Sequence, residues 1–189
     1  MPARALHLML LAFCAMPFAS IAQTGPEGPY GSARSSGYAD INSLKQLKVV
    51  LDVDLADPRR IGEVLGFAAG LLSAAAENGP TGSEPIKIVV VSHGPELVVW
   101  DKKNYAKYQE VVDRAARQVQ QGVRFEVCAR AAGTMGLAPS DLHGFISVVP
   151  SGTYALTYWQ NKGHALINPP TPASRMKNDL NAVDVRGRN

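Results

Sequence analysis

One cysteine, Cys128, stands where the apolar run VRFEVC meets a segment of small residues, ARAAGTMG. The run predicts a β-strand and the small residues predict a short helix, so the thiol would lie at the helix start. The helix dipole and free backbone N–H groups stabilise a thiolate there, and Arg130 places a positive charge two residues later. These features favour a reactive thiol. The alternative is a structural cysteine, because free cysteines are among the most buried residues.

A histidine, His93, follows a second apolar run, IKIVVVS. Imidazole changes charge near neutral pH, so His93 is a candidate base or orienting group for the thiol. The alternative is a strand-end histidine that hydrogen-bonds a neighbouring loop. His143 and His164 have no partner at a metal-ligand spacing, so no metal site is predicted.

A third candidate group lies in VPSGT, at the start of another predicted helix. The backbone N–H groups of Ser151 and Gly152 could hold an anion there, although an ordinary helix N-cap uses the same residues. With Arg130 and Gly94, which follows His93, these two residues complete the candidate binding set.

Several enzyme classes lack their motifs in this sequence. No G-x-S-x-G is present, which disfavours an α/β-hydrolase, and no G-x-G-x-x-G follows a strand, which disfavours dinucleotide binding. The absence of C-x-x-C disfavours thioredoxin-like chemistry. No cofactor is therefore predicted.

The elements that must position these residues alternate along the chain. Apolar runs predict strands over 47–55, 86–94, 123–128, 146–150 and 164–168, and helical patterns lie between them. Such alternation predicts a three-layer α/β/α sandwich with a mostly parallel five-stranded sheet. Ligands bind such sheets at the carboxyl ends of the strands, where His93 and Cys128 are expected to lie.

The ends of the chain differ in composition from its middle. Residues 1–22 combine Arg4, an apolar stretch and a small-residue cleavage site, which predicts a signal peptide and a periplasmic protein without a membrane anchor. Residues 23–43 read as a flexible arm, 44–169 as the domain and 170–189 as a loose tail. Cleavage after Ala22 would remove Cys14, leaving Cys128 as a free thiol or an intermolecular partner. The net charge of +3, without a dense basic run, argues against nucleic-acid binding.

The motifs of the middle region resemble those of the DsrE/DsrF-like family. VVVSHGPEL, RFEVCARAAGTMGL, Asp141-Leu142 and VVPSGTYALTYWQNKGHALINP occur in the family's order over residues 47–169. The resemblance implies a YchN-like fold, assembly as homotrimers or hexamers, and a cysteine, here Cys128, that carries persulfide sulfur. His93 stands where many members have a histidine, whereas Arg130 stands where many have asparagine.

Two main functions follow as expectations; a third, a hydrolase or transferase with His93 as base, needs a nucleophile or a metal that the sequence does not show. The first is a periplasmic protein that handles sulfane sulfur, with Cys128 as a persulfide or mixed-disulfide carrier that meets a small sulfur compound or a partner's thiol. The second is a non-catalytic homo-oligomeric module that binds a small ligand or a protein, with a structural cysteine. In the second, the apolar segment 95–100, PELVVW, would be an exposed association surface.

Overall fold

The computed structural model describes residues 41–82 and 84–169. The predicted signal peptide, residues 23–40 of the predicted arm and the predicted tail lie outside the described residues. Within them, five strands alternate with four α-helices. The strands are β1 (Lys48–Val53), β2 (Lys87–Ser92), β3 (Arg124–Cys128), β4 (Ile146–Val149) and β5 (Ala165–Ile167). The helices are α1 (Ile61–Asn78), α2 (Tyr105–Gln120), α3 (Ala129–Thr134) and α4 (Gly152–Asn161).

The five strands form one entirely parallel sheet in the order β4-β3-β2-β1-β5. The middle strand, β2, is almost wholly apolar, as is usual for a parallel strand with helices over both of its faces. Right-handed crossovers through the helices are the usual way to join such neighbours. The predicted α/β class and five-stranded sheet are confirmed.

Two hydrophobic clusters show the three layers. On one face, Leu65 of α1 and Val112 of α2 pack with Leu51 and Val90 of the sheet. On the other face, Ala155 of α4 packs with residues 50, 89 and 91 of β1 and β2. The carboxyl edge of the sheet therefore lies between α1 and α2 on one side and α4 on the other.

The segment after β2 differs from the expectation of an exposed apolar surface. Residues Pro95–Trp100 form a 3-10 helix in which Glu96, Leu97, Val99 and Trp100 are buried. The Trp100 ring packs against the rings of Phe125 and Phe145, with centroids 5.7 and 6.4 Å away. The prediction was wrong because the apolar side chains of this turn complete the core beneath the sheet edge. Separately, none of the described helices has the length and apolar character needed to cross a membrane.

Candidate functional site

The carboxyl edge of the sheet brings His93 and Cys128 onto neighbouring strands. Ser92 of β2 is in register with Val127 of β3, so the next positions along the two strands are His93 and Cys128. His93 still belongs to the ladder, because its backbone N–H donates to the carbonyl of Val53 at 3.0 Å. Adjacent strands lie about 4.8 Å apart, and residues in register on parallel strands project to the same face. Both side chains therefore belong to the face that α4 covers.

The imidazole of His93 is paired with a carboxylate that the sequence analysis did not single out. Nε2 of His93 lies 2.6 Å from Oδ1 of Asp52 in β1. Both side chains are partly exposed, His93 at 26% and Asp52 at 28%. The local signal for Asp52 was a single charge inside an apolar strand, KVVLDV, whose partner is 41 residues away.

The start of α4 forms the floor beneath His93. A Cβ added at Gly152 would lie 2.9 Å from the His93 Cβ and 3.0 Å from its ring carbons Cγ and Cδ2. Any residue other than glycine at position 152 would therefore displace the His93 ring or the start of α4. Ser151 acts here as the helix N-cap, since its Oγ accepts a hydrogen bond from the backbone N–H of Tyr154 at 3.5 Å. Gly152 therefore packs directly against the His93 side chain, and Ser151 serves as the N-cap of α4.

A buried carboxylate, that of Glu96, fixes the turn that carries His93. It is fully buried and accepts hydrogen bonds from the Ser92 hydroxyl at 2.6 Å and from the backbone N–H groups of Gly94 and Leu55 at 3.0 and 2.8 Å. The indole N–H of Trp100 in turn donates to Ser92 Oγ at 3.2 Å. A carboxylate buried in this way is stable because its oxygens are satisfied by several donors.

Gly94, a predicted binding residue, is packed too tightly to carry a side chain. A Cβ there would lie 2.1 Å from Oδ1 of Asp54 and 2.6 Å from Oε2 of Glu96. The glycine therefore lets the chain pass between two carboxylates directly after His93. Its observed contribution is to the position of the histidine.

Cys128 closes β3 and opens α3. The residue as a whole is 6% exposed, and Sγ accepts a hydrogen bond from the backbone N–H of Ala131 at 3.5 Å. Among the hydrogen bonds of the described residues, none links the Cys128 thiol to the His93 ring. Arg130 is exposed on α3, and in that same part of the chain its guanidinium forms no salt bridge. Cys128 is thus nearly enclosed by the described residues. His93 occupies the neighbouring position in register, directly after β2, and Arg130 lies on the solvent side.

Two clefts approach this edge. One, of about 360 Å³, lies beside the exposed side of His93. Its lining consists of Asp52, Val53, Asp54, Leu55, Val64, His93, Asn168 and Pro169. The two aspartates give this cleft a negative character, which disfavours anionic ligands.

The other cleft is a groove of about 270 Å³ between β3, β4 and α4. Its lining consists of Arg124, Glu126, Val149, Pro150, Tyr154, Ala155, Tyr158 and Trp159. The buried Glu126 accepts from Arg124 Nε at 2.7 Å and from the Trp159 indole at 2.9 Å, so its charge is compensated. Val149 is the register partner of Cys128, which places the upper end of this groove next to the thiol's strand position.

No group of three His, Cys, Asp or Glu side chains in the described part of the chain is arranged to hold a metal ion. The thiol, the imidazole and the carboxylate at this edge can supply nucleophilic attack and proton transfer.

One solved structure agrees with this fold. The structure resembles that of a protein of unknown function, MTH1491 from Methanobacterium thermoautotrophicum, with a TM-score of 0.53 and 24% identity. The match covers 65% of this chain and 99% of that one. A protein of unknown function from Bacteroides thetaiotaomicron, BT1422, matches with a TM-score of 0.43 and 18% identity, over 67% of this chain and 97% of that one.

No functionally curated protein matches the chain. A profile of the DsrE/DsrF-like family matches residues 19–169, which is most of the sequence. The chain therefore belongs to the DsrE/DsrF-like family.

Proposed function

We propose that this protein is an exported sulfur carrier that holds sulfane sulfur on Cys128 as a persulfide, with His93 as the base that takes the thiol proton. The observation that carries the proposal is the placement of Cys128 at the carboxyl end of β3, in register with His93. Membership of the DsrE/DsrF-like family supports a function of the sulfur-relay type.

The chemistry needs only groups that lie at this edge. The proton of the Cys128 thiol passes to His93, and the thiolate attacks the outer sulfur of a donor persulfide, R–S–SH. The S–S bond of the donor breaks as the new S–S bond to Cys128 forms, and the electron pair leaves on the donor sulfur as R–S⁻, which takes a proton. No net oxidation occurs, and an acceptor thiolate reverses the same steps.

Access to the sulfur limits what can react. With Cys128 only 6% exposed, a donor must reach the thiol through a narrow opening or after a local movement. The groove between β4 and α4 leads towards this position and carries the exposed rings of Tyr154 and Tyr158 at its rim. We propose that a homotrimer or hexamer, or a partner protein with a thiol, completes the surroundings of Cys128. Sedimentation velocity of the purified protein tests the homo-oligomer, and a monomer at all concentrations overturns it.

The proposal is tested by intact-mass spectrometry after incubation with glutathione persulfide. The wild type is expected to gain the mass of one sulfur atom, which dithiothreitol removes, and the Cys128→Ser variant is expected to gain none. Absence of added sulfur on the wild type, or the same adduct on Cys128→Ser, would overturn it.

Export is tested on the same material. When the full chain is expressed in a bacterial host, we expect it in the periplasmic fraction with a mass that corresponds to cleavage after Ala22. A full-length chain retained in the cytoplasm would contradict the periplasmic location while leaving the chemistry of Cys128 open to the mass assay.

The burial of Cys128 favours a second candidate, a non-catalytic binding module. In that function, the thiol caps α3 through Ala131 and packs at the sheet edge, and the cleft beside His93 holds a small ligand. A thiol that stays unlabelled by iodoacetamide in the folded protein but reacts in denaturant would favour this candidate over the first.

A further inference from the structure

Asp52 places a carboxylate near the carboxyl end of the otherwise apolar part of strand β1. Its register partner in β2 is Val91, and the strand positions on either side of it, Leu51 and Val53, are buried. A partly buried carboxylate costs stability unless it is paired. In the described part of the chain, the side chain of Asp52 has one hydrogen-bond partner, the His93 ring.

The ring of His93 is held in a single orientation by independent contacts. Asp52 holds Nε2, the start of α4 at Gly152 lies against Cβ, Cγ and Cδ2, and the backbone N–H is bound to Val53. The next residue, Gly94, donates to the buried Glu96 carboxylate. The hydrogen bond at Nε2 and the close approach at Cδ2 both favour the ring orientation in which Nε2 faces Asp52.

The carboxylate also decides which ring nitrogen carries the proton. An ionised carboxylate only accepts hydrogen bonds, so in the neutral ring the proton must lie on Nε2. The other nitrogen, Nδ1, is then the acceptor, and it points to the opposite side of the ring from Asp52. Among residues 41–82 and 84–169, Nδ1 of His93 has no hydrogen-bond partner, so its lone pair is free to take a proton.

We infer that Asp52 is the positioning residue of this site: it keeps His93 as the Nε2–H tautomer and leaves Nδ1 as the base that serves Cys128. The identity of the thiol as the proton donor rests on the proposed function. The proton moves from Sγ to Nδ1 directly or through one water, and Asp52 stabilises the imidazolium that results. Asp52 itself touches no reacting atom.

The test compares Asp52→Asn with Asp57→Asn in the full chain. Both variants remove one negative charge in or shortly after β1, but Asp57 pairs with Arg59 and lies outside the lining of the cleft beside His93. The tautomer of His93 is read from the ¹⁵N NMR shifts of its ring nitrogens, and the reactivity of Cys128 from the rate of iodoacetamide alkylation at neutral pH.

We expect the wild type to show the Nε2–H tautomer and Asp52→Asn to lose this preference, since an amide can donate as well as accept. Alkylation of Cys128 should slow by roughly tenfold or more, by analogy with the loss of activity when a group that orients a metal-bound imidazole is removed. Asp57→Asn should match the wild type in both measurements. In a His93→Gln background, Asp52→Asn should have no further effect.

The opposite results overturn the inference. A wild-type Nδ1–H tautomer does so without any variant, so the test stands even where Asp52→Asn fails to fold. Equal alkylation rates for Asp52→Asn and the wild type, or an added effect of Asp52→Asn in the His93→Gln background, also do so. Glutathione persulfide separates the two proposals: if the wild type gains no sulfur while the tautomer and alkylation results hold, the carrier function fails and the role of Asp52 stands.

Discussion

At the scale of single residues, Gly152 shows how closely the site is packed. The His93 ring lies where any larger residue at 152 would put its Cβ. The position therefore belongs to the site although glycine has no side chain. A sequence pattern shows such a glycine only as the start of a helix.

The Gly152→Ala variant tests this packing. The added methyl would come within 3.0 Å of His93, so the ring or the start of α4 must shift. We expect a loss of about 1–3 kcal/mol in the free energy of unfolding, as for other overpacked sites, and slower alkylation of Cys128. Urea denaturation and the iodoacetamide rate measure the two effects.

Gly133→Ala is the matched control, because a Cβ there meets nothing within 4 Å. It lies inside α3 and should leave stability unchanged or raise it by up to about 1 kcal/mol, since alanine favours helix. A Gly152→Ala protein that is as stable and as reactive as the control would show that His93 is not held against α4.

His93 and Cys128 were predictable as candidate residues because each stands at the end of an apolar run, and parallel strands end at one edge. Asp52 was not predictable, because one acidic residue in a strand looks like an ordinary solvent-facing position. The hydrogen bond that gives Asp52 its role joins residues 41 positions apart, and no local pattern contains it.

At the scale of elements, the turn Pro95–Trp100 positions the site from beneath. Its apolar residues led to the prediction of an exposed association surface, because loops usually run over the outside of a protein. Here the turn is buried, with the Trp100 ring packed in the core. The carboxylate of Glu96 is buried as well and accepts hydrogen bonds from the backbone N–H groups of Gly94 and Leu55. A buried acid inside an apolar run was the signal for this arrangement.

Replacement of Glu96 by glutamine tests the role of this turn. Whichever way the amide is turned, its NH₂ group faces the backbone N–H of Gly94 or of Leu55, which then loses its acceptor. One buried donor without a partner costs about 1–3 kcal/mol, and we expect a loss of that size in urea denaturation.

Glu84→Gln provides the comparison, because Glu84 is exposed and its ion pair with Lys87 spans 3.7 Å. Surface changes of this kind usually alter stability by less than about 0.5 kcal/mol. Equal losses in the two variants would mean that the hydrogen bonds of Glu96 do not hold the turn.

At the scale of the whole molecule, the alternation of strands and helices was enough to predict the fold class. The order of the strands in the sheet was not predicted, since a parallel crossover can place the next strand on either side. The chain adds β2, β3 and β4 on one side of β1 and returns to the other side only with β5. This reversal depends on how α4 packs across β1 and β2, which is a tertiary contact.

The dependence of stability on pH is also a property of the whole molecule. Burial lowers the pKa of His164 and of His143, and nearby Lys102 lowers that of His143 further. Nε2 of each ring is buried without a hydrogen-bond partner in the described part of the chain. In the unfolded chain both titrate near the ordinary value of 6.5.

Below about pH 6.5, the unfolded chain therefore binds protons that the folded protein does not, and the free energy of unfolding falls as the pH decreases. Well above that pH, where the unfolded chain has also lost these protons, the two histidines add no slope. Urea denaturation over a pH series should show this fall, and the fall should be shallower in His164→Asn. Identical slopes in the wild type and His164→Asn would contradict a buried, neutral His164.

The contact between His93 and Gly152 has a consequence for the order in which the protein is made. The ribosome releases Asp52, His93 and Cys128 well before the start of α4, so the thiol exists for a time without its finished surroundings. The His93 side chain makes its contact with Gly152 only when α4 packs on the sheet. A chain that ends before residue 152 would carry the same three side chains and lack the glycine contact that positions the ring, so the proposed reactivity of Cys128 requires a chain that includes α4.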